Sequence, residues 1–254
     1  MQLVSPGKMI GMIRRNRRPR SGFSPSSIAW QLWVDEVSGY DKDDGGGGFT
    51  PVTANNDTVI RWRDKSGNAR HLTKGLLSNG MTYKAGAIPY LAMVGASSQY
   101  LQNTDVPRSQ PSTSIVVASI TTGFTADNAI LGSNTANNFL VLSQTGTFNW
   151  PGMFTGGVLS PASDSPFDTF IAIGSVWNGL TSKLYQSAKT PITGPAGLLA
   201  SDGITVGVTT ADNNDRLFTG KVQALWLYDG VLPQETFENM FDYIAARYGV
   251  SIAA

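Results

Sequence analysis

The sequence predicts an all-β protein, an antiparallel β-sandwich closed by one C-terminal amphipathic helix, and three observations carry that expectation. The 28 Gly and 13 Pro, with Thr, Ser and Asn between them, are the turn chemistry of many short strands. Short apolar segments recur between those turns, and only the last segment of the chain has a helical period. At 254 residues the chain lies close to the upper end of what one sandwich core uses. With 41% hydrophobic residues it can fill a core, yet no apolar run approaches the roughly 18 residues of a membrane helix.

Residues 1–27 read as a basic arm with neither helical nor strand periodicity. The first expected strand is 28–34, followed by a loop through Asp41, Asp43, Asp44 and the glycines 45–48. Residues 58–62 form the next strand and 64–68 a turn. The run 114–120 is almost wholly apolar, as expected of a central strand buried on both faces. Residues 138–142 and 147–150 read as one hairpin, and 170–176 with 180–185 as a second, turning at Asn178 and Gly179. Further strands are expected at 203–208 and 221–228.

The helix is expected over about 233–248. Phe237, Met240, Phe241, Ile244, Ala245 and Tyr248 make one apolar stripe, Pro233 stands at the first helical position, and Gly249 terminates. That stripe needs a surface, and the strand 221–228, apolar on both faces, offers it. The domain reading is therefore an arm over 1–27 and a sandwich domain over 28–254.

The net charge of +1 conceals an asymmetry. Lys8, Arg14, Arg15, Arg17, Arg18 and Arg20 precede the first acid, Asp35, which leaves 13 basic against 18 acidic residues in the remainder, a net of −5. Ile10, Ile13 and Phe23 give the arm apolar anchors that a simple phosphate-binding tail would not need, and no aromatic interleaves the arginines. Docking onto a neighbouring protein is the expected role, and nucleic acid is not the expected partner. The absence of Cys removes disulfides and thiolate chemistry, and the first residues lack the apolar core of a signal peptide.

Three groups of residues, from Trp33 to Gly249, carry a resemblance to a known family. Trp33 and the turn Trp62, Asp64, Ser66, Gly67, Asn68 are similar to that family's W-x-D-x-S-G-N turn. Pro89, Tyr90, Leu91 and Gly95, then Ser98, Tyr100 and Leu101, resemble its glycine followed by an S-x-Y-L run. Phe218, Gly220 and Val222, then Leu227, Tyr228 and Asp229, then Leu232, Glu235 and Tyr243 to Gly249, resemble its closing strand, turn and helix. In this order they resemble the concanavalin A-like lectin/glucanase jelly roll in its bacterial and phage LamG-like form; the resemblance covers roughly 28–250 and implies a jelly roll that hosts glycan binding, glycan cleavage or pure scaffolding.

The residues argue against cleavage. A retaining glycosidase needs two carboxyls about 5 Å apart, and the chain has only Glu36, Glu235 and Glu238, with no E-x-D-x-E strand. His71 is the single histidine, and no nucleophile, zincin or P-loop motif accompanies it. No enzyme is expected. Asp41, Asp43 and Asp44, or Asp212 and Asp215, are the only groupings that suggest calcium; neither completes a ligand set, so no cofactor is expected. Trp150 and Trp177, read as loop-borne, are the candidate sugar platforms. The expected function is a non-enzymatic bacteriophage virion protein, a capsid decoration or tail-associated component folded in the host cytoplasm. Its expected partners are other virion proteins, in an oligomer or at multiple copies, with no membrane contact. The alternative is a carbohydrate-binding, lectin-like module that recognises host-surface glycans.

Overall fold

The structure, a computed structural model, describes residues 22–121, 128–134, 139–145, 148–160, 167–186, 190–198, 201–211 and 216–251. The first strands are β1 (Leu32–Val34), β2 (Tyr40–Asp43), β3 (Phe49–Pro51), β4 (Thr58–Val59), β5 (Arg61–Trp62) and β6 (Leu72–Lys74). Then come β7 (Met81–Lys84), β8 (Tyr90–Met93), β9 (Leu101–Arg108), β10 (Ser112–Ile120), β11 (Asn128–Gly132) and β12 (Phe139–Thr145). The chain continues through β13 (Phe148–Phe154), β14 (Val158–Leu159), β15 (Ile171–Trp177), β16 (Ser182–Gln186), β17 (Ile192–Gly194), β18 (Ser201–Val206) and β19 (Gly220–Asp229). Helix α1 (Gln234–Tyr248) closes the molecule.

These strands make two antiparallel sheets. A nine-stranded sheet runs β17-β16-β15-β10-β19-β8-β7-β4, with β1 also paired to β19, and a ten-stranded sheet runs β14-β13-β12-β11-β18-β9-β6-β5-β2-β3. The ten residues of β19 share one edge between two partners: Gly220 to Val222 pair with β8, and Leu225 to Leu227 with β1. Between the sheets lies a core that includes Leu32, Trp62, Leu72, Leu91, Leu101, Val116, Ile173, Val206 and Leu225.

A second core lies on the far face of the nine-stranded sheet, where Ile115, Val117, Ala172, Ala224 and Trp226 meet Phe237, Met240, Ile244 and Tyr248 of α1. The molecule thus has three layers, and β10, between the two cores, is buried at all nine positions. That is the environment its nearly all-apolar run 114–120 calls for. Adding a methyl to Gly174 of β15 would drive it into the Phe237 ring, so this glycine is what lets the helix sit down on the sheet.

Four local expectations are corrected. The expected strand 58–62 is a corner: β4 pairs with β7 in one sheet while β5 pairs with β2 and β6 in the other, because Val59 and Trp62 both enter the core and the chain must change sheets between them. The region through Asp41 and Asp43 is not a loop but strand β2, which forms a hairpin with β3 around the glycine run. β15 and β16 do pair, but the turn at Asn178 and Gly179 is not a two-residue hairpin. Trp177 goes into the core, Gly179 to Thr181 form a 3-10 turn, and Gln110 accepts the Gly179 N–H at 2.7 Å. Pro233 caps α1 from an extended conformation, one residue outside it.

Candidate ligand-binding face

Side chains alternate across a strand, so the residues between the core positions of the ten-stranded sheet point away from the helix layer. Tyr40, Trp62, Leu72, Leu101 and Val206 face the core. Their neighbours Asp41, Arg61, Thr73, Gln102 and Thr205 stand on the opposite face, and the strand register sets them side by side in that order. Asp41 opposes Arg61, Arg61 opposes Thr73, Thr73 opposes Gln102, and Gln102 opposes Thr205. The Thr205 end is closed, since Thr205 is buried and its hydroxyl donates to the Val208 carbonyl at 2.6 Å. Gln102 and Thr73 are half-buried, Arg61 keeps a partly exposed surface and Phe49 on β3 is exposed, so the row opens towards β3.

Asp41 anchors this row. Its side chain is 1% exposed and receives Arg61 Nε at 2.6 Å and Arg63 Nε at 3.0 Å, together with Arg63 Nη2. Burial works to raise the carboxyl, but the hydrogen bonds from Arg63 and Arg61, and then their charges, outweigh it and hold Asp41 below the ordinary carboxylate range. The bond to Asp41 raises the Arg63 guanidinium in turn. Both arginines keep a partly exposed outer surface, at 23% and 38%. The Arg61 guanidinium carbon lies 3.7 Å from the centre of the exposed Phe49 ring on β3. The result is a fixed carboxylate with two guanidiniums, and an aromatic ring beside them. Arg61 and Arg63 were missed in the sequence; the signal was their i, i+2 spacing, which becomes informative once β2 is known to lie beside β5.

The residues singled out in the sequence are scattered. Ile10, Ile13, Arg14, Arg15, Arg17, Arg18 and Arg20 lie outside the described residues. Phe23, expected to anchor the arm to a neighbour, packs instead against this chain's own helix-side core. Trp177 is not a surface platform: it is 2% exposed and sits between the sheets. Trp150 lies within strand β13, opposite Ser143, rather than on a loop, and its side chain is outside the described residues.

Of the calcium candidates, Asp41 is committed to the two arginines. Asp43 accepts the Gly45 N–H, and Asp44 accepts those of Gly46 and Gly48, each at 2.8 Å, which shapes the hairpin tip. Asp212 and Asp215 are outside the described residues, and among the described residues no cluster of three metal-ligating side chains occurs. His71 accepts the Asp64 N–H on Nδ1 at 3.0 Å, and Asp64 itself accepts from the backbone of Trp33, Ser66 and Arg70. The Trp62 to Asn68 turn is thus structural. All three glutamates gather at the helix: Glu235 and Glu238 lie on it, and Glu36 accepts from Arg247 and from the Tyr248 hydroxyl at 2.8 Å.

No family model matches this chain, and no curated protein sequence does. Its fold is similar to that of several solved structures. An arabinofuranosidase complexed with arabinofuranosyl-alpha-1,2-xylobiose aligns with a TM-score of 0.66 at 11% identity, over 89% of this chain and 64% of that one. A GH54 α-L-arabinofuranosidase soaked with a cyclic sulfate inhibitor aligns at 0.63 and 12% identity, over 86% and 62%. Domain 4 of AbnA, a GH43 extracellular arabinanase from Geobacillus stearothermophilus, in complex with arabinotriose, aligns at 0.52 and 14% identity, over 73% and 99%. The chain spans less than two thirds of the two arabinofuranosidases. What is shared at these identities is the β-sandwich.

Proposed function

We propose that this protein is a non-catalytic carbohydrate-binding β-sandwich that holds a glycan across the open face of its ten-stranded sheet. The observation that carries this reading is the row Gln102, Thr73, Arg61 with Arg63 beside it and the exposed Phe49 ring at its end. A sugar presents hydroxyls around its edge and an apolar C–H face, and needs preset polar partners next to a flat ring. Two proteins of the same fold hold arabinose-containing oligosaccharides, which makes those the first ligands to try.

The non-catalytic part rests on the carboxylates. Cleavage needs a pair roughly 5–10 Å apart with one proton to give. Asp41 is held ionised by two guanidiniums, and the glutamates belong to the helix layer on the other side of the molecule. Calorimetry with arabinotriose and a glycan array, alongside an assay for released reducing ends, tests both parts. Phe49→Ala should weaken binding about tenfold at an unchanged unfolding midpoint, because Phe49 is exposed and outside the core. Equal affinity in the variant, or hydrolysis by the wild type, would sink the reading.

A second reading follows from the charge asymmetry: a bacteriophage virion component, in the capsid or tail, attached to other virion proteins through residues 1–27. Six basic residues precede the first acid, so the arm has no local counter-charge. Its test is incorporation into a particle: a chain lacking residues 2–20 should be left out, and incorporation at full occupancy would remove this reading.

A further inference from the structure

We propose that Arg108 is the centre of an oxyanion-binding site at the rim of the sandwich, one that takes a carboxylate, phosphate or sulfate group and is separate from the open face. A guanidinium has five N–H donors and a permanent charge, and burying it without a counter-charge is strongly unfavourable. Arg108, the last residue of β9, is 6% exposed. Its Nη1 donates to the Gly132 carbonyl at 3.1 Å, and its guanidinium carbon lies 5.6 Å from the centre of the Trp177 ring. Among the described residues it has no carboxylate within ion-pair distance, whereas Lys42, Arg61, Arg63, Lys65, Lys221 and Arg247 each have one.

Desolvation brings its pKa down to about 10, so the group is still charged at neutral pH. A charged fork with a single hydrogen bond among the described residues is the complement of a planar oxyanion. The position suits entry from solvent. Arg108 and Trp177 both end their strands, and the next residues, Ser109 and Asn178, are exposed. Gln110 holds the rim together, accepting from the Gly179 N–H at 2.7 Å and donating to the Gly197 carbonyl at 3.1 Å. Gln110, two residues beyond Arg108, thus ties the Gly179 turn after Trp177 to the Gly197 segment.

The test is the unfolding midpoint of the full chain in sodium phosphate, and separately in trigalacturonate, each against sodium chloride at matched ionic strength. An anion that binds only the folded state raises the midpoint progressively with its concentration. Wild type should show that rise, and Arg108→Met, which keeps the length and drops the charge, should not. A rise with both anions identifies a general oxyanion site, and a rise with trigalacturonate alone identifies the carboxylate of an acidic glycan. No rise beyond chloride, or an equal rise in Arg108→Met, overturns the proposal. Should the methionine variant fail to fold, Arg108→Lys decides by calorimetry: affinity for the active anion should fall roughly tenfold or more, since an ammonium lacks the fork, and equal affinity overturns the site. Neutral arabinotriose reads the open face independently, so its failure to bind would leave the rim site standing.

Discussion

Asp41 is the residue on which the open face depends. Two guanidiniums converge on its buried carboxylate, and Asp41→Asn would leave both without their counter-charge. Because the arginines are partly exposed, the cost should sit near the low end for a broken buried pair, about 3 kcal/mol, read as a shift in the urea midpoint. The pH dependence has a definite sign. The folded pKa lies below the unfolded one, so the stabilisation is fully present above the ordinary aspartate range and is lost as pH falls through the folded value. Wild-type stability should therefore drop more steeply than that of Asp41→Asn on acidification below about pH 4. Parallel acid curves would show that the ion pairs do not couple to folding. The residue types here were legible in the sequence, but their association was not: Asp41 and Arg61 are 20 positions apart and meet only through strand pairing.

Helix α1 is the element whose behaviour follows most directly from its residues. The i, i+3, i+4 stripe is real, but its centre lies at Phe237, Met240, Ile244 and Tyr248, with Phe241 at the margin. Phe237 stacks on Tyr185 with ring centres 4.0 Å apart and fills the space over Gly174. Phe237→Ala should cost roughly 3–5 kcal/mol and Phe241→Ala clearly less, as measured by denaturant unfolding. Equal costs would mean that the helix is rotated from the position described. Gly249 ends the helix at φ 68°, its N–H donating to the Ala245 carbonyl at 3.0 Å, so Gly249→Ala should cost about 1 kcal/mol through backbone strain alone. The strand at 58–62 was harder to read, because nothing in a five-residue apolar pattern records a change of sheet at Ile60.

At the scale of the whole molecule, the packed chain begins before residue 28. Phe23 and Ile28 lie against the helix-side core, Pro25 is buried, and the Trp30 indole N–H donates to the Pro25 carbonyl at 2.8 Å. Removing residues 2–20 should leave the unfolding midpoint unchanged, while removing 2–27 should lower it, because the longer cut takes away the acceptor of a buried donor. Identical midpoints for the two truncations would make the Phe23 to Ser27 segment dispensable. Unfolding should be slow to reverse, since the sheet order joins strands far apart in sequence, such as β1 with β19 and β9 with β18.

By itself the sequence determined the class of the protein: turn-forming residues between short apolar runs, one terminal helix stripe and a nearly all-apolar strand are local properties, and local chemistry selects strand, turn and helix. It also determined that cysteine is absent and histidine occurs once, because a residue type that is missing cannot be supplied by folding. Only the tertiary structure decided which face is open, where Trp177 and Trp150 lie, and that Arg108 is buried with no acid beside it among the described residues while Arg61 and Arg63 share one. The physical reason is that burial and charge pairing depend on the registers and sheet order that bring distant strands together. A strand's own alternation tells which residues share a face, and only its neighbours tell whether that face meets a core, a helix or water.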